Sequence, residues 1–155
     1  MSESDLLDIE KSIGTPLPSL LKRIYSEIAN GGFGPALGLV PASSLLYTDH
    51  NSGKIVEYWP GVPCRHTSFE DRELILPLAL IPIAEGGCQI LLHIACFHSD
   101  FPVLEVDEDC WPEPPMNPEL FTIPEEICTY FGAIISPSFN QWMADWLAST
   151  TKQSS

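Results

Sequence analysis

The residues of this 155-residue chain best equipped for chemistry are its five cysteines and four histidines, and four of them crowd together: Cys88, His93, Cys96 and His98 fall within eleven positions. Thiolates and imidazoles at close quarters are zinc ligands. The surrounding sequence, "CQILLHIACF", is dense in Ile and Leu, as a central strand is. On a strand Cys88, Cys96 and His98 share one face and His93 points to the other. Cys88 and Cys96 would also stand about 26 Å apart, at roughly 3.3 Å per residue. Core cysteines on a buried strand are therefore the better reading, and neither a metal nor a cofactor is expected.

A thiol nucleophile with a histidine base could be sought in Cys64 and His66 of "PCRHTS". Nothing in that stretch orients the base, so it does not make a dyad. His98-Ser99-Asp100 offers triad residue types only as chain neighbours. Asp107 and Asp109 could serve acid–base work or hold a hard cation, although a solvated acidic edge is the commoner use of such a pair. There is no GxSxG, no HExxH and no nucleotide loop. No catalytic residue is assigned, and a small hydrolase built on Cys64 or a histidine is the weakest of the functional alternatives.

"EIANGGFGPALG" (27–38) raises the question of a phosphate cradle, with four glycines in twelve residues. A Walker loop needs Gly-Lys-Ser/Thr opening a helix, and no Lys is present. A dinucleotide fingerprint needs GxGxxG after a strand, whereas Gly32, Gly34 and Gly38 miss that spacing and follow a helical pattern. Asn30, Gly31 and Gly32 suit the left-handed turn that ends a helix, and a structural turn is their expected role.

The elements that must position these residues begin with a helix over 5–13, capped by Ser4 and stopped by Gly14, with Leu6, Ile9 and Ile13 on one face. A second helix follows Pro16 or Pro18 and carries Leu17, Leu20, Leu21, Ile24, Tyr25 and Ile28 at helical spacing. A short helical turn is expected over 42–47, and a strand at "KIVEYW" (54–59). "PGVPCRHTSFEDRE" (60–73) reads as a loop by composition. "LILPLALIPIA" (74–84) should hold a strand near its end, leading to a Glu85-Gly86-Gly87 turn. "VLEVDED" (103–109) alternates like a half-exposed strand. A proline-rich loop covers 110–118, and 124–131 suits a short helix. A last helix after Ser136-Pro137 places Phe139, Trp142, Met143, Trp146 and Leu147 on one core-facing stripe. Helices bracketing a block of strands make the expected fold α+β, one domain over 1–155, a mostly antiparallel sheet with helices packed around it.

The charge is lopsided. Seven basic residues face 21 acidic ones, a net of −14, and between Arg72 and Lys152 there are twelve acids and no Lys or Arg. Such a surface repels nucleic acid and anionic membranes and steers a basic protein partner, although acidity for solubility alone is common. The acidic start "MSESDLLDIEK" and the uneven, CxxC-free cysteines point to a reducing, cytosolic setting.

Taken in order, "IEKSIGTPLPSLLKRIYSEIANGGFG", "GLVPASSL", "PIAEGGCQILLHIA", "PVLEVDED" and "SFNQWMADWLAS" resemble the SUKH superfamily, which includes the fungal Smi/Knr cell-wall regulator and many bacterial proteins. Leu-Pro, a helix and then Asn-Gly-Gly is the most specific piece. The family often carries an Asp soon after its central strand, where this chain has "LLHIACFHSD" and only a late Asp100. The resemblance implies a non-enzymatic α+β protein-binding domain, either an immunity protein that neutralises a toxin, often a nuclease, or a regulatory scaffold for an endogenous partner. A toxin encoded immediately upstream would favour immunity. The expected docking segment is "EVDEDCWPE", with Glu105, Asp107, Glu108, Asp109 and Glu113 steering a basic toxin domain and Trp111 as anchor. The alternative is that Trp111 tucks into the core while the acids face water.

Overall fold

The computed structural model describes residues 1–45, 54–59, 62–69, 72–87, 90–107 and 132–153. It is an α+β fold in which two short helices come first, strands follow, and a long helix closes the chain. Helix α1 spans Glu3–Ile13 and buries Leu6, Ile9 and Ile13. It begins two residues earlier than the sequence suggests, and its cap is Ser2 rather than Ser4. The reason is reciprocity: the Ser2 hydroxyl accepts from the Asp5 amide while the Asp5 carboxylate accepts from the Ser2 amide. Had Ser4 been the cap, the returning position would be Leu7, which has nothing to return. Gly14 ends the helix in the left-handed conformation, φ +74°.

The Glu10 carboxylate ties α1 to the next segment, accepting from the Leu17 amide and pairing with Lys22 at 2.8 Å. Burial works against its charge, but the hydrogen bonds from Lys22 and Leu17 prevail and hold it below the usual carboxylate range. Helix α2, Ser19–Arg23, passes directly into a π-helical turn, Ile24–Ile28, closed by the Ala29 amide on the Ile24 carbonyl. This wider turn corrects the helical reading at one position. Ile24 and Tyr25 are buried, but the chain leaves its 3.6-residue register there and Ile28 swings out to 66% exposure. The Tyr25 hydroxyl donates to the Val40 carbonyl at 2.7 Å, and burial pushes its pKa up.

A 3₁₀ turn, Ala42–Leu45, precedes the strands. Strands β1 (Lys54–Trp59), β2 (Val62–Phe69) and β3 (Arg72–Pro77) form an antiparallel three-stranded sheet in sequence order. The loop expected over 60–73 is instead mostly strand. Arg65, His66, Thr67 and Ser68 each face a partner on β3, and pairing on both sides outweighs a polar composition. "LILPLALIPIA" is cut by a turn at Leu78-Ala79 and supplies the end of β3 and the start of β4.

Strands β4 (Leu80–Gly87), β5 (Ile90–Ala95), β6 (Val103–Asp107) and β7 (Ala133–Ser136) form an antiparallel sheet in the order β4-β5-β6-β7. Against one face lies the core, where Leu6, Ile13, Leu21 and Ile24 meet Ile81, Ile83, Leu92, Ile94 and Val103. The other face is also buried at Leu80, His93, Leu104 and Val106. Burial on both sides is why β5 reads as an apolar run interrupted only by His93. Helix α3, Phe139–Gln153, is capped by the Ser138 hydroxyl, which accepts the Gln141 amide. Of the five residues expected on its core stripe, Phe139 and Met143 are enclosed, Trp142 and Trp146 are half-buried, and Leu147 is 54% exposed. Trp146 packs against the margin of the core and meets the ring of Phe33 edge to face. The helix expected at 124–131 lies outside the described residues.

Candidate functional site

The glycine-rich segment is closed upon itself. The Gly32 amide donates to the Leu39 carbonyl, the Leu39 amide to Phe33 and the Gly38 amide to Pro35, leaving those three donors unavailable to a phosphate. Asn30 places its side-chain oxygen on the Ala42 amide at 3.1 Å. Gly31 and Gly32 have φ of +92° and +80°. A Cβ on Gly31 would stand 2.8 Å from the backbone of residues 39–41, whereas one on Gly32 would meet nothing within 4 Å. Gly31 is thus required by close approach as well as by its dihedral angle.

The segment then runs along the outer edge of β4. The Val40 amide donates to Ile83, the Leu37 amide to Glu85, and Leu39 bridges Ala84. That gives an otherwise open edge a partner. It also aligns a row across the sheet: Leu39, Ala84, Leu92, Glu105, Ala133. The first three are buried beneath the helices, and the last two are exposed. Along this row cover ends between β5 and β6, although Val103, two residues earlier on β6, is still enclosed, and Glu105 is the first side chain of the row to reach water.

Two rows further, β4 ends at Gly87, β5 begins at Ile90 and β6 ends at Asp107, all facing one another. Glu85 and Gly86 are exposed at the same end. Adjacent strands lie about 4.8 Å apart, so the Leu37 segment is about 14 Å from β6 across this end. The tip of the glycine segment and the acidic segment, 68 residues apart in sequence from Leu37 to Glu105, thus share one end of the sheet. Sequence reasoning singled out Glu105 and Asp107 but missed Leu37 and Glu85, which only the backbone pairing at β4 brings there. Glu108, Asp109, Trp111 and Glu113 lie outside the described residues.

His93, Cys96 and His98 are not gathered into one site. His93, on β5, faces Leu104 of β6 and Pro82 of β4, whereas Cys96 belongs to the helix-side core. Burial depresses the His93 pKa to about 4, opposed by its hydrogen-bonding contact with the Leu91 carbonyl. Burial chiefly, with Glu10 adding to it, pushes the Cys96 thiol up, away from the reactive thiolate. His98 approaches Asp100 at 4.0 Å at the surface turn that follows. Cys64 and His66 sit on β2, opposite Val56 and Lys54. Cys88 lies outside the described residues. Among the described residues no three His, Cys, Asp or Glu side chains gather as metal ligands, and no helix is long and apolar enough to cross a membrane.

Compared with known proteins, residues 1–145 match the model of the SMI1 / KNR4 family (SUKH-1). That span takes in the glycine segment, both described sheets and the first turns of α3. No curated protein and no solved structure matches the chain.

Proposed function

The chain belongs to the SMI1 / KNR4 family (SUKH-1), and from that premise we propose that it is a non-enzymatic, cytoplasmic immunity protein that binds and neutralises a basic toxin domain. The observation carrying this reading is the exposed acidic end of the sheet. Glu105 is the first residue of its row to reach water, at the same end of the sheet as Glu85 and the end of β6, in a stretch where residues 73–151 contain no Lys or Arg. A toxin that acts on nucleic acid is basic where it binds its substrate, so an acidic surface of this kind both steers it and occupies that site. The proposed contact residues are Glu105, Asp107, Glu108, Asp109 and Glu113, with Trp111 as the apolar anchor.

The test begins with the neighbouring genes: where a toxin domain is encoded beside this chain, its association kinetics are measured. Reversal of Asp107 and Asp109 to Lys should slow association at low salt while leaving the fold intact, and the difference should fade as salt screens charges over about 8 Å. Equal association rates at low salt would remove this segment from the interface. A toxin whose lethality is unaffected by co-expression would remove the immunity role itself, leaving an endogenous partner to be sought.

A further inference from the structure

Beside the acidic end, the glycine segment and α3 together expose an apolar strip. Its centre is the edge-to-face pair of Phe33 and Trp146, ring centroids 5.7 Å apart, with both side chains half-buried. Leu37, on the same closed loop as Phe33, is 71% exposed, and Leu147, next to Trp146, is 54% exposed. Neither leucine is free to turn inward. Leu37 is fixed by its amide on the Glu85 carbonyl, and the inward position of that loop is filled by Leu39. On α3 the inward positions belong to Phe139 and Met143.

Among the described residues, two acids adjoin the strip in the chain or by backbone pairing. The backbone carbonyl of Glu85 accepts the Leu37 amide, so this acidic residue adjoins the loop, and Asp145 stands one residue before Trp146 while accepting from the Gln141 side chain at 2.7 Å; both acids are exposed. The one cation of α3, Lys152, lies in its last turn. A large apolar contact flanked by acids complements a segment with an apolar face flanked by Lys or Arg. It does not suit a second copy of a chain with net charge −14, nor an anionic membrane.

We infer that Phe33, Leu37, Trp146 and Leu147 form a docking strip for a basic amphipathic segment of a protein partner, whose apolar side covers the two leucines and whose cations reach Glu85 and Asp145. This rests on the protein-binding role proposed above and adds to it a second contact of different chemistry. The acidic residues set how fast the partner arrives, and the leucines set how long it stays.

The probe is a synthetic helical peptide with leucines along one face and lysines on the other, titrated calorimetrically into the full chain. A peptide of the same composition with the two residues interleaved is the comparison. The amphipathic peptide should bind more tightly than the interleaved one. The double variant Leu37→Ser, Leu147→Ser should weaken it about tenfold or more, the loss expected from uncovering two aliphatic contacts. Both leucines are exposed, so the variant should unfold at the wild-type temperature. Absence of binding, equal binding of the two peptides, equal binding by the variant, or sedimentation showing the chain pairing with itself through these leucines would each overturn the inference. Failure here leaves the toxin assay untouched. Conversely, a failed toxin assay leaves the peptide result standing as evidence for the strip.

Discussion

Replacing Gly31 or Gly32 with alanine separates two reasons for a glycine that sequence alone cannot distinguish. Both residues have positive φ, +92° and +80°, and an L-residue forced into that region costs about 1–2 kcal/mol. Alanine also stiffens the unfolded chain, which returns about 0.4–1 kcal/mol. For Gly32, whose Cβ would meet open space, nothing more is required, and the net loss should be about 1 kcal/mol. At Gly31 the new methyl would lie 2.8 Å from Leu39 O, Val40 C and Pro41 N. These are backbone atoms, so the segment must move as a unit. That segment is held by Gly32 on Leu39, Val40 on Ile83 and Ala42 on Asn30, and each hydrogen bond weakened costs about 0.5–1.5 kcal/mol. Gly31→Ala should therefore lose about 3 kcal/mol in total. In a chain of this size 1 kcal/mol corresponds to about 2–4 °C in Tm, so thermal unfolding should fall by about 6–12 °C for Gly31→Ala and by about 2–4 °C for Gly32→Ala. Gly14→Ala, with φ +74° and open space, is the matched control and should behave like Gly32→Ala. Equal losses at Gly31 and Gly32, or a larger one at Gly32, would refute the close-approach argument.

Two further outcomes follow from burial. His93 is buried and neutral, with its pKa depressed from 6.5 to about 4, so the unfolded chain takes up its proton first. Its contribution to stability is complete above pH 6.5 and is lost as pH falls towards 4. At 1.36 kcal/mol per pH unit, wild type should lose about 2 kcal/mol more than His93→Gln between pH 7 and pH 5 in urea titrations; parallel losses would show that His93 does not titrate on unfolding. On α3, Phe139→Ala should cost about 3–5 kcal/mol as a fully enclosed aromatic, and Trp146→Ala clearly less, because the indole is half-exposed and rests on Phe33. A Trp146→Ala loss equal to that of Phe139→Ala would contradict the packing described.

Much was legible in the residues themselves because it depends on near neighbours. Leu6, Ile9 and Ile13 repeat at the helical period and Gly14 permits the left-handed stop, so α1 follows from local geometry, its start excepted. "ILLHIA" is apolar at every position but His93, which marks a strand covered on both faces. Leu104 and Val106 flanking Glu105 already placed an acid on the open side of β6. Family membership, too, was readable from the order of these local patterns.

What the tertiary structure decided are the features set by partners far away in sequence. "VPCRHTSF" becomes a strand because β1 and β3 supply hydrogen bonds on both sides, which its polar composition does not announce. Ile28 leaves the core because a π turn displaces the register after Tyr25, whose hydroxyl is committed to Val40. Trp142 and Trp146 keep the spacing of core residues yet stay half-exposed, since a periodic stripe fixes which side faces inward but not how far the opposing layer extends. The same limit governs the candidate site. Sequence alone determined that the C-terminal half of this protein is acidic, that the fold is α+β, and that Asn30-Gly31-Gly32 is a turn. Only the pairing of residues 37–40 with β4 brought Leu37 and Glu85 to the end of the sheet where Glu105 emerges, because strand register joins residues by hydrogen bonds across the sheet, and no local propensity encodes which strands will meet.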